Sequence, residues 1–350
     1  MRLRRDIHCN HIAGNNTSAT IPPRPVIKFF SQTAMIAIMT RAAGLICANT
    51  EDGENLALKR ALESLGFTVH LVRPEEIGII IGDESHRFLH QRAPIDDIPG
   101  FLIRGIGFTL LNREYFRFDT LYALERRGKL LMNKPRCVEQ AMDKCTASVI
   151  LDSAGIPTPR TIVAEDMKHA LAALELLGGD VVVKPVYGGQ GTGIFRITEQ
   201  GFGERVFMEM FQLGHVFYIQ EYHPAAPLPG MDVAGPFDAR VFVAGGRAIG
   251  AMLRASHDAS AWRTNIHQGA AAVAFEPATD AEDLAVRAAA ALGLDIAGVD
   301  LLHSAKTSDW IVLEVNSCPG WTGLSRVSDV DYPGEIARLF ADKLEAGGFT

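Results

Sequence analysis

Residues 181–193 read VVVKPVYGGQGTG. Three successive valines predict a buried strand, and Lys184 stands at its end. Gly188, Gly189, Gly191 and Gly193 then crowd the turn, where backbone N–H groups can approach phosphate oxygens without Cβ clashes. Lys184 adds a point charge for the same phosphates. Residues 194–197 return as a second strand, so the stretch is expected to form a hairpin. The order of parts excludes two familiar nucleotide loops. In a Walker A loop and in a dinucleotide fingerprint a helix opens after the glycines, and here none follows. Glycine turns in hairpins are also common without a ligand, so the chemistry needs support from elsewhere.

Three other stretches provide it. Residues 299–302 and 313–319 (LEVNSCP) put Asp300, Glu314 and Asn316 into otherwise apolar strands. Glu314 and Asn316 are two apart and leave the same face. Such oxygens suit a magnesium ion whose shell phosphates complete. The alternative is a hydrogen-bonding pair at a strand end, but burying two acids without a cation is costly. Arg240 follows Asp238 in one apolar strand and Arg254 closes the next. In WRTNIHQG, residues 262–269, Arg263 and Asn265 share a face if extended. These groups suit phosphates and carboxylates, or equally salt bridges to Asp238 or Asp258. Glu221, at the end of a strand over 217–222, and Lys144, after Asp143 on a helix over 137–154, are surface charges when read alone.

Around these motifs the pattern is α/β or α+β with mixed sheets. Residues 35–39 read as a buried first strand, followed by a loop containing Gly44 and Asn49. A helix over 55–65 and a strand over 67–72 complete a βαβ unit. A short strand over 100–103 and a helix over 115–127 follow, and the periodicity breaks at Asn133 and Pro135. Beyond the break, strands are expected over 160–163, 239–243, 248–253, 296–303 and 310–316, with helices over 168–177 and 281–292. Gly245-Gly246 marks a hairpin turn. Residues 223–236, rich in proline, glycine and alanine, read as a loop.

Composition bounds the function. The 350 residues are 47% hydrophobic and 21% charged, an ordinary globular profile with room for two or three units. A net charge of −7 argues against a nucleic-acid partner. Cys9, Cys47, Cys137, Cys145 and Cys318 are scattered and form no C-x-x-C pair, so a reducing cytoplasm is the simplest compartment. No uncharged run reaches membrane-spanning length, which excludes a membrane role on this reading. Residues 1–34 are polar and basic without periodicity, and are expected to be a disordered leader.

Taken in order, Asp143-Lys144, Val183-Lys184 with GGQGTGI, Gln220-Glu221-Tyr222, DARVFV, AMLR, WRTNIHQGAA, GVDLL and EVNSCPG resemble the ATP-grasp fold, and within it the RimK-like glutamate ligases. The resemblance runs from about Met132 to about Leu324 and more weakly back to Met35. It implies an N-terminal βαβ domain over 35–132 ahead of two α+β subdomains, 133–222 and 223–350, that clasp ATP. Lys144 and Lys184 would contact the phosphates under Gly188, Gly189, Gln190, Gly191, Thr192 and Gly193. Gln220, Glu221 and Tyr222 would line the adenine. Asp300, Glu314 and Asn316 would hold one or two magnesium ions, for which manganese can substitute. Arg240, Arg263 and Asn265 would surround the transferred phosphoryl group, with Arg254 and Arg263 steering carboxylates and Arg104 facing the second substrate.

The implied reaction is acyl phosphate formation followed by capture with an amine, the partners being a small-molecule carboxylate and an amino acid, in this family glutamate. Homo-oligomers are common among such enzymes. Modification of a protein C-terminus, a kinase and a non-catalytic nucleotide binder are the rival readings. Three features depart from the family pattern. The 223–236 loop is longer and richer in proline, Gln268-Gly269-Ala270 replaces a basic residue followed by glycines, and the leader has no counterpart.

Overall fold

The computed structural model describes residues 41–82, 86–188, 193–228, 230–231, 235–256 and 270–348. Its first sheet is built from β1 (Arg41–Ile46), α1 (Gly53–Ser64) and β2 (Phe67–Val72). A small antiparallel sheet of β3 (Ile77–Ile80), β4 (Arg87–His90) and β5 (Ala93–Pro94) interrupts it. β6 (Gly100–Ile103), α2 (Leu111–Arg126) and β7 (Leu130–Met132) then complete the parallel order β2-β1-β6-β7. The strand expected over 35–39 lies outside the described residues. Gly44, read from sequence as a loop residue, is in β1 instead. A Cβ there would collide with the Phe101 ring on β6, so the glycine serves close strand packing rather than a turn.

The next unit begins with α3 (Pro135–Met142) and α4 (Lys144–Ser153). One continuous helix was expected here. Asp143 breaks it by adopting an extended conformation and accepting from the Cys145 and Thr146 N–H groups at 2.9 and 3.1 Å, a side-chain cap that outcompetes helix continuation. There follow β8 (Thr161–Ala164), α5 (Met167–Leu176), β9 (Val181–Lys184), β10 (Phe195–Ile197), α6 (Gln200–Gln212) and β11 (Phe217–Glu221). The strands form an antiparallel sheet in the order β10-β9-β11-β8. One face buries Val181, Val183, Phe217 and Ile219 against Leu174 of α5 and Phe207 of α6. α6 was not foreseen, because Gly201 and Gly203 look like breakers. Gly203 is required by packing, since a Cβ there would come within 2.8 Å of Leu174 and 3.0 Å of Ile197.

The last sheet has the order β14-β13-β12-β15-β16 and is antiparallel throughout. Its parts are β12 (Phe237–Ala244), β13 (Arg247–Ala255), β14 (Ala271–Ala274), α7 (Thr279–Ala291), β15 (Ile296–His303) and β16 (Trp310–Asn316). The chain ends on α8 (Tyr332–Ala346), which sequence reading also missed. Pro333 sits in its first turn, where a missing N–H costs nothing, and Asp331 caps it through the Gly334 N–H at 3.1 Å. Ile336, Phe340 and Leu344 of α8 share one core with Leu58 and Leu62 of α1, Leu45 of β1, and Phe242 and Met252 of the last sheet. Each such fully buried side chain contributes roughly 1.5–3 kcal/mol. No helix among the described residues is long and apolar enough to cross a membrane.

Candidate active site

Side chains alternate along a strand, so the last sheet has two chemically different faces. Ala239, Val241, Val243, Leu253, Val299 and Leu301 are fully buried in the core that includes α7. Asp238, Arg240, Arg254, Asp300 and Glu314 leave by the other face. Register aligns them: Arg254 lies opposite Asp238, Arg240 opposite Asp300, and Asp300 opposite Glu314. This is why charged residues interrupt apolar strands at these positions.

Pairing makes their burial tolerable. Arg254 donates Nε and Nη2 to the two oxygens of Asp238 at 2.5 and 2.8 Å, and Nη2 also lies 2.9 Å from Asp300 Oδ2. Arg240 makes a second bidentate fork on Asp300, with Nη2 2.9 Å from Oδ2 and Nε on Oδ1. Burial alone would raise the Asp300 carboxyl, but the two guanidiniums outweigh it and hold the group below the usual range. Burial would likewise lower Arg254, yet Asp238 and Asp300 raise it further above its ordinary value. The expectation that Arg254 steers a carboxylate substrate does not fit this geometry. Arg254 is only 7% exposed, and its guanidinium is taken up by two aspartates.

Among the described residues no three histidine, cysteine, aspartate or glutamate side chains gather into a metal cluster. The donor set here is two carboxylates and an amide, which suits an ion completed by phosphates. Asn316 carries the test of fit. In one orientation its amide nitrogen lies 3.1 Å from Glu314 Oε1 and its oxygen 3.2 Å from Arg240 Nη2, which satisfies the protein alone. Turned over, the nitrogen faces the Gly298 carbonyl at 3.4 Å and the amide oxygen confronts the Glu314 carboxylate, acceptor against acceptor. The donor set itself, an amide oxygen available beside a carboxylate, is of the kind a hard cation takes. Asn316 and Glu314 therefore fit a magnesium ion, with Asp300 alongside.

The central sheet brings its own cations to this face. Lys184 donates to Gln220 Oε1 at 2.7 Å, and Gln220 is itself held by Thr161 Oγ1 at 3.1 Å and the Tyr218 hydroxyl at 3.3 Å. Burial pushes the Lys184 amine down to about 8; Glu314 opposes this and the neighbouring charge of Lys144 reinforces it. The break at Asp143 makes Lys144 the first residue of α4. Its backbone N–H reaches the Val186 carbonyl at 3.1 Å and its Nζ the Gly188 carbonyl at 2.7 Å. Lys144, Tyr218, Gln220 and Glu314 line one small cavity of about 20 Å³, so the central and last sheets meet there. Gly188 and Gly193 border the turn with positive φ of 144° and 71°, conformations glycine adopts without strain.

Other expected site residues are placed differently. Glu221 accepts from Lys306 Nζ at 2.7 Å, and its Oε2 lies 3.7 Å from His223 Nε2. Desolvation works to raise its carboxyl, but Lys306 and His223 hold it low. The Tyr222 ring packs under the Arg196 guanidinium at 3.6 Å. Arg104, expected to face a substrate, is buried and bonds Glu54 and the Pro319 carbonyl instead. Gly189, Gln190, Gly191, Thr192, Arg263 and Asn265 lie outside the described residues. Sequence reading missed Asn133 and Glu54. Asn133 looked only like a boundary, and Glu54 like any acid in a first helical turn.

The RimK-like ATP-grasp domain family matches residues 141–340. The chain belongs to that family. This RimK-like protein is accordingly an ATP-grasp carboxylate–amine ligase of the ADP-forming kind. It is 34% identical over 281 residues to tetrahydromethanopterin:alpha-L-glutamate ligase of Methanococcus maripaludis, covering 78% of this chain and 89% of the relative. It is 33% identical over 275 residues to a probable alpha-L-glutamate ligase of Xanthomonas campestris, covering 77% and 88%. Among solved structures, the ATP-grasp ligase PsnB complexed with a minimal precursor superposes with a TM-score of 0.66 over 88% of this chain and 99% of that one. At 22% identity this likeness shows the ATP-grasp fold alone.

Proposed function

We propose that this RimK-like ligase joins L-glutamate, through an amide bond, to the carboxylate of a small molecule with an aromatic body. The observation that carries the ligase chemistry is the approach of Lys144 and Lys184 to Glu314, with Asn316 beside that carboxylate. Glutamate as the amine is supported by the names of the relatives above, one a tetrahydromethanopterin:alpha-L-glutamate ligase and the other a probable alpha-L-glutamate ligase. The aromatic body is supported by a cavity of about 520 Å³ whose walls include Phe108, Tyr187, Phe195, Met210 and Leu213. That volume is of the size that holds drug-sized ligands. Gly188 belongs to the same wall and its carbonyl accepts from Lys144, so the cavity adjoins the phosphate end.

In this reading an oxygen of the acceptor carboxylate attacks the γ-phosphorus of ATP, and the bond to the ADP oxygen breaks. The glutamate amine then attacks the acyl carbon, phosphate leaves, and the amine gives up a proton as the amide forms. Glu314, Asn316 and Asp300 would hold magnesium, which supplies positive charge to the phosphates. Lys144 and Lys184 neutralise charge from the other side, and Arg240 fixes Asp300. Catalysis rests on positioning and on charges set before the substrate arrives. The four free thiols among the described residues accord with a reducing cytoplasm, and we propose a homo-oligomer by family analogy only.

ADP release with magnesium, with and without glutamate, across a panel of acceptor carboxylates tests the proposal. Release that requires both, with a product heavier by one glutamyl residue, is the expected result. Release without an amine makes the protein a kinase. Turnover only with peptides moves the acceptor to a protein C-terminus.

A further inference from the structure

Glu54, in the first turn of α1, accepts three hydrogen bonds on one oxygen: from the backbone N–H groups of Trp321 and Thr322, each at 2.6 Å, and from the Thr322 hydroxyl at 2.7 Å. Its other oxygen receives Arg104 Nη2 at 3.1 Å. Arg104 in turn donates Nη1 to the Pro319 carbonyl at 2.7 Å, and its guanidinium lies 4.5 Å from the Trp321 ring centroid. Gly320, between these contacts, lies so close that a Cβ would stand 3.1 Å from the Glu54 carboxylate. Two residues of the N-terminal sheet unit thus grip four consecutive positions, 319–322. The grip begins three residues beyond Asn316.

Asn133 secures the same segment from the other side. Its amide nitrogen donates to the Ser317 carbonyl at 2.8 Å and to the Ile296 carbonyl at 2.7 Å. Its oxygen accepts from the Asp295 and Ile296 N–H groups at 2.7 and 2.9 Å. All four hydrogen-bonding sites of this buried amide are used. Ser317 is thereby fixed to the start of β15, and the backbone directly after Asn316 has no freedom to swing.

We infer that Glu54, with Arg104 and Asn133, is a positioning device for the metal site: it holds the 317–322 segment so that Asn316 keeps its amide in register with Glu314. The charge of Glu54 is secondary to its geometry, because three of its four bonds are to neutral donors on one oxygen. The inference rests on the reading of Glu314 and Asn316 as metal ligands. It adds that Glu54, 267 positions from Trp321 in sequence, sets how well those ligands bind the ion.

The test needs no acceptor. ADP affinity of the full chain is measured by calorimetry with magnesium and again in EDTA, the ratio giving the metal-linked gain. Groups that orient metal ligands are typically worth about 10- to 100-fold in metal affinity. Glu54→Ala is expected to cut the metal-linked gain by about tenfold while leaving affinity in EDTA unchanged. Glu54→Gln, which keeps an acceptor for the three neutral donors, should retain most of the gain. Thr322→Val removes one of the three bonds without touching the carboxylate, gives a smaller loss in the same direction, and serves if Glu54→Ala does not fold. Equal losses with and without magnesium, or no loss in a folded Glu54→Ala or Thr322→Val protein, overturn the inference. If wild-type ADP binding gains nothing from magnesium, the metal reading itself falls and takes the inference with it.

Discussion

Lys184 offers a sharp test of how the phosphate site is built. Its amine is buried beside Lys144 and titrates at about 8 rather than 10.5. At about 1.4 kcal/mol per pH unit, keeping it charged in the folded chain at neutral pH costs about 3 kcal/mol. The sign follows from proton counting. Between the folded and unfolded values the unfolded chain binds more protons, so stability rises with pH across that window. From about pH 7 to about pH 9.5 the relief amounts to about 2 kcal/mol. Lys184→Met removes the titration. It also leaves Gln220 Oε1 without its 2.7 Å partner, a loss that does not depend on pH and cancels in the comparison. Urea unfolding of both proteins without nucleotide, at several pH values, is the assay. The wild type should gain about 2 kcal/mol more than the variant over that range. Parallel curves would refute the claim that burial outweighs the acidic neighbours in setting the state of this amine. The same depression means that ADP should bind less tightly as pH rises through about 8, since the amine then loses its charge.

Glu314→Ala should remove magnesium-dependent ADP formation, and near-normal turnover at ordinary magnesium would reject Glu314 as a ligand. Arg254→Ala should destabilise the fold by about 3–5 kcal/mol in urea unfolding, because it takes the shared guanidinium from two buried aspartates. A stable variant with only a raised KM for the carboxylate substrate would instead restore a steering role. Asn133→Asp replaces two donated bonds with acceptors facing the Ile296 and Ser317 carbonyls. It should lower Tm by several degrees through loss of at least about 2 kcal/mol, and an unchanged melting curve would contradict the bonding described.

The parts legible from sequence are those whose cause is local. Val181–Lys184 is a strand because three β-branched residues favour one, and Gly245 and Gly246 turn β12 into β13 with φ of 56° and 75°. Asp300, Glu314 and Asn316 stood out because polar side chains in apolar strands demand an explanation. What escaped has distant causes. β14 is a run of alanines with one valine, weak strand formers that extend because β13 pairs with them. α6 contains Gly203, which its neighbours Leu174 and Ile197 require. The Arg254–Asp238 and Arg240–Asp300 forks depend on register between strands, which separates partners by 16 and 60 positions. Glu54 and Thr322 meet across 268 positions, and nothing near either residue announces the other.

The core shared by α8 and the first sheet also bears on how the chain is made. Synthesis delivers β1, α1, β2, β6 and β7 early, but Phe340 and Leu344, which close their apolar side, belong to α8 and follow only after the central and last sheets. While the ribosome is still extending the protein, that surface has no cover. The central sheet encloses a core of its own on one face, with α5 and α6, from residues translated together. The middle of the polypeptide is thus equipped to fold before its beginning, and a fragment ending before α8 would leave the N-terminal sheet open to aggregation.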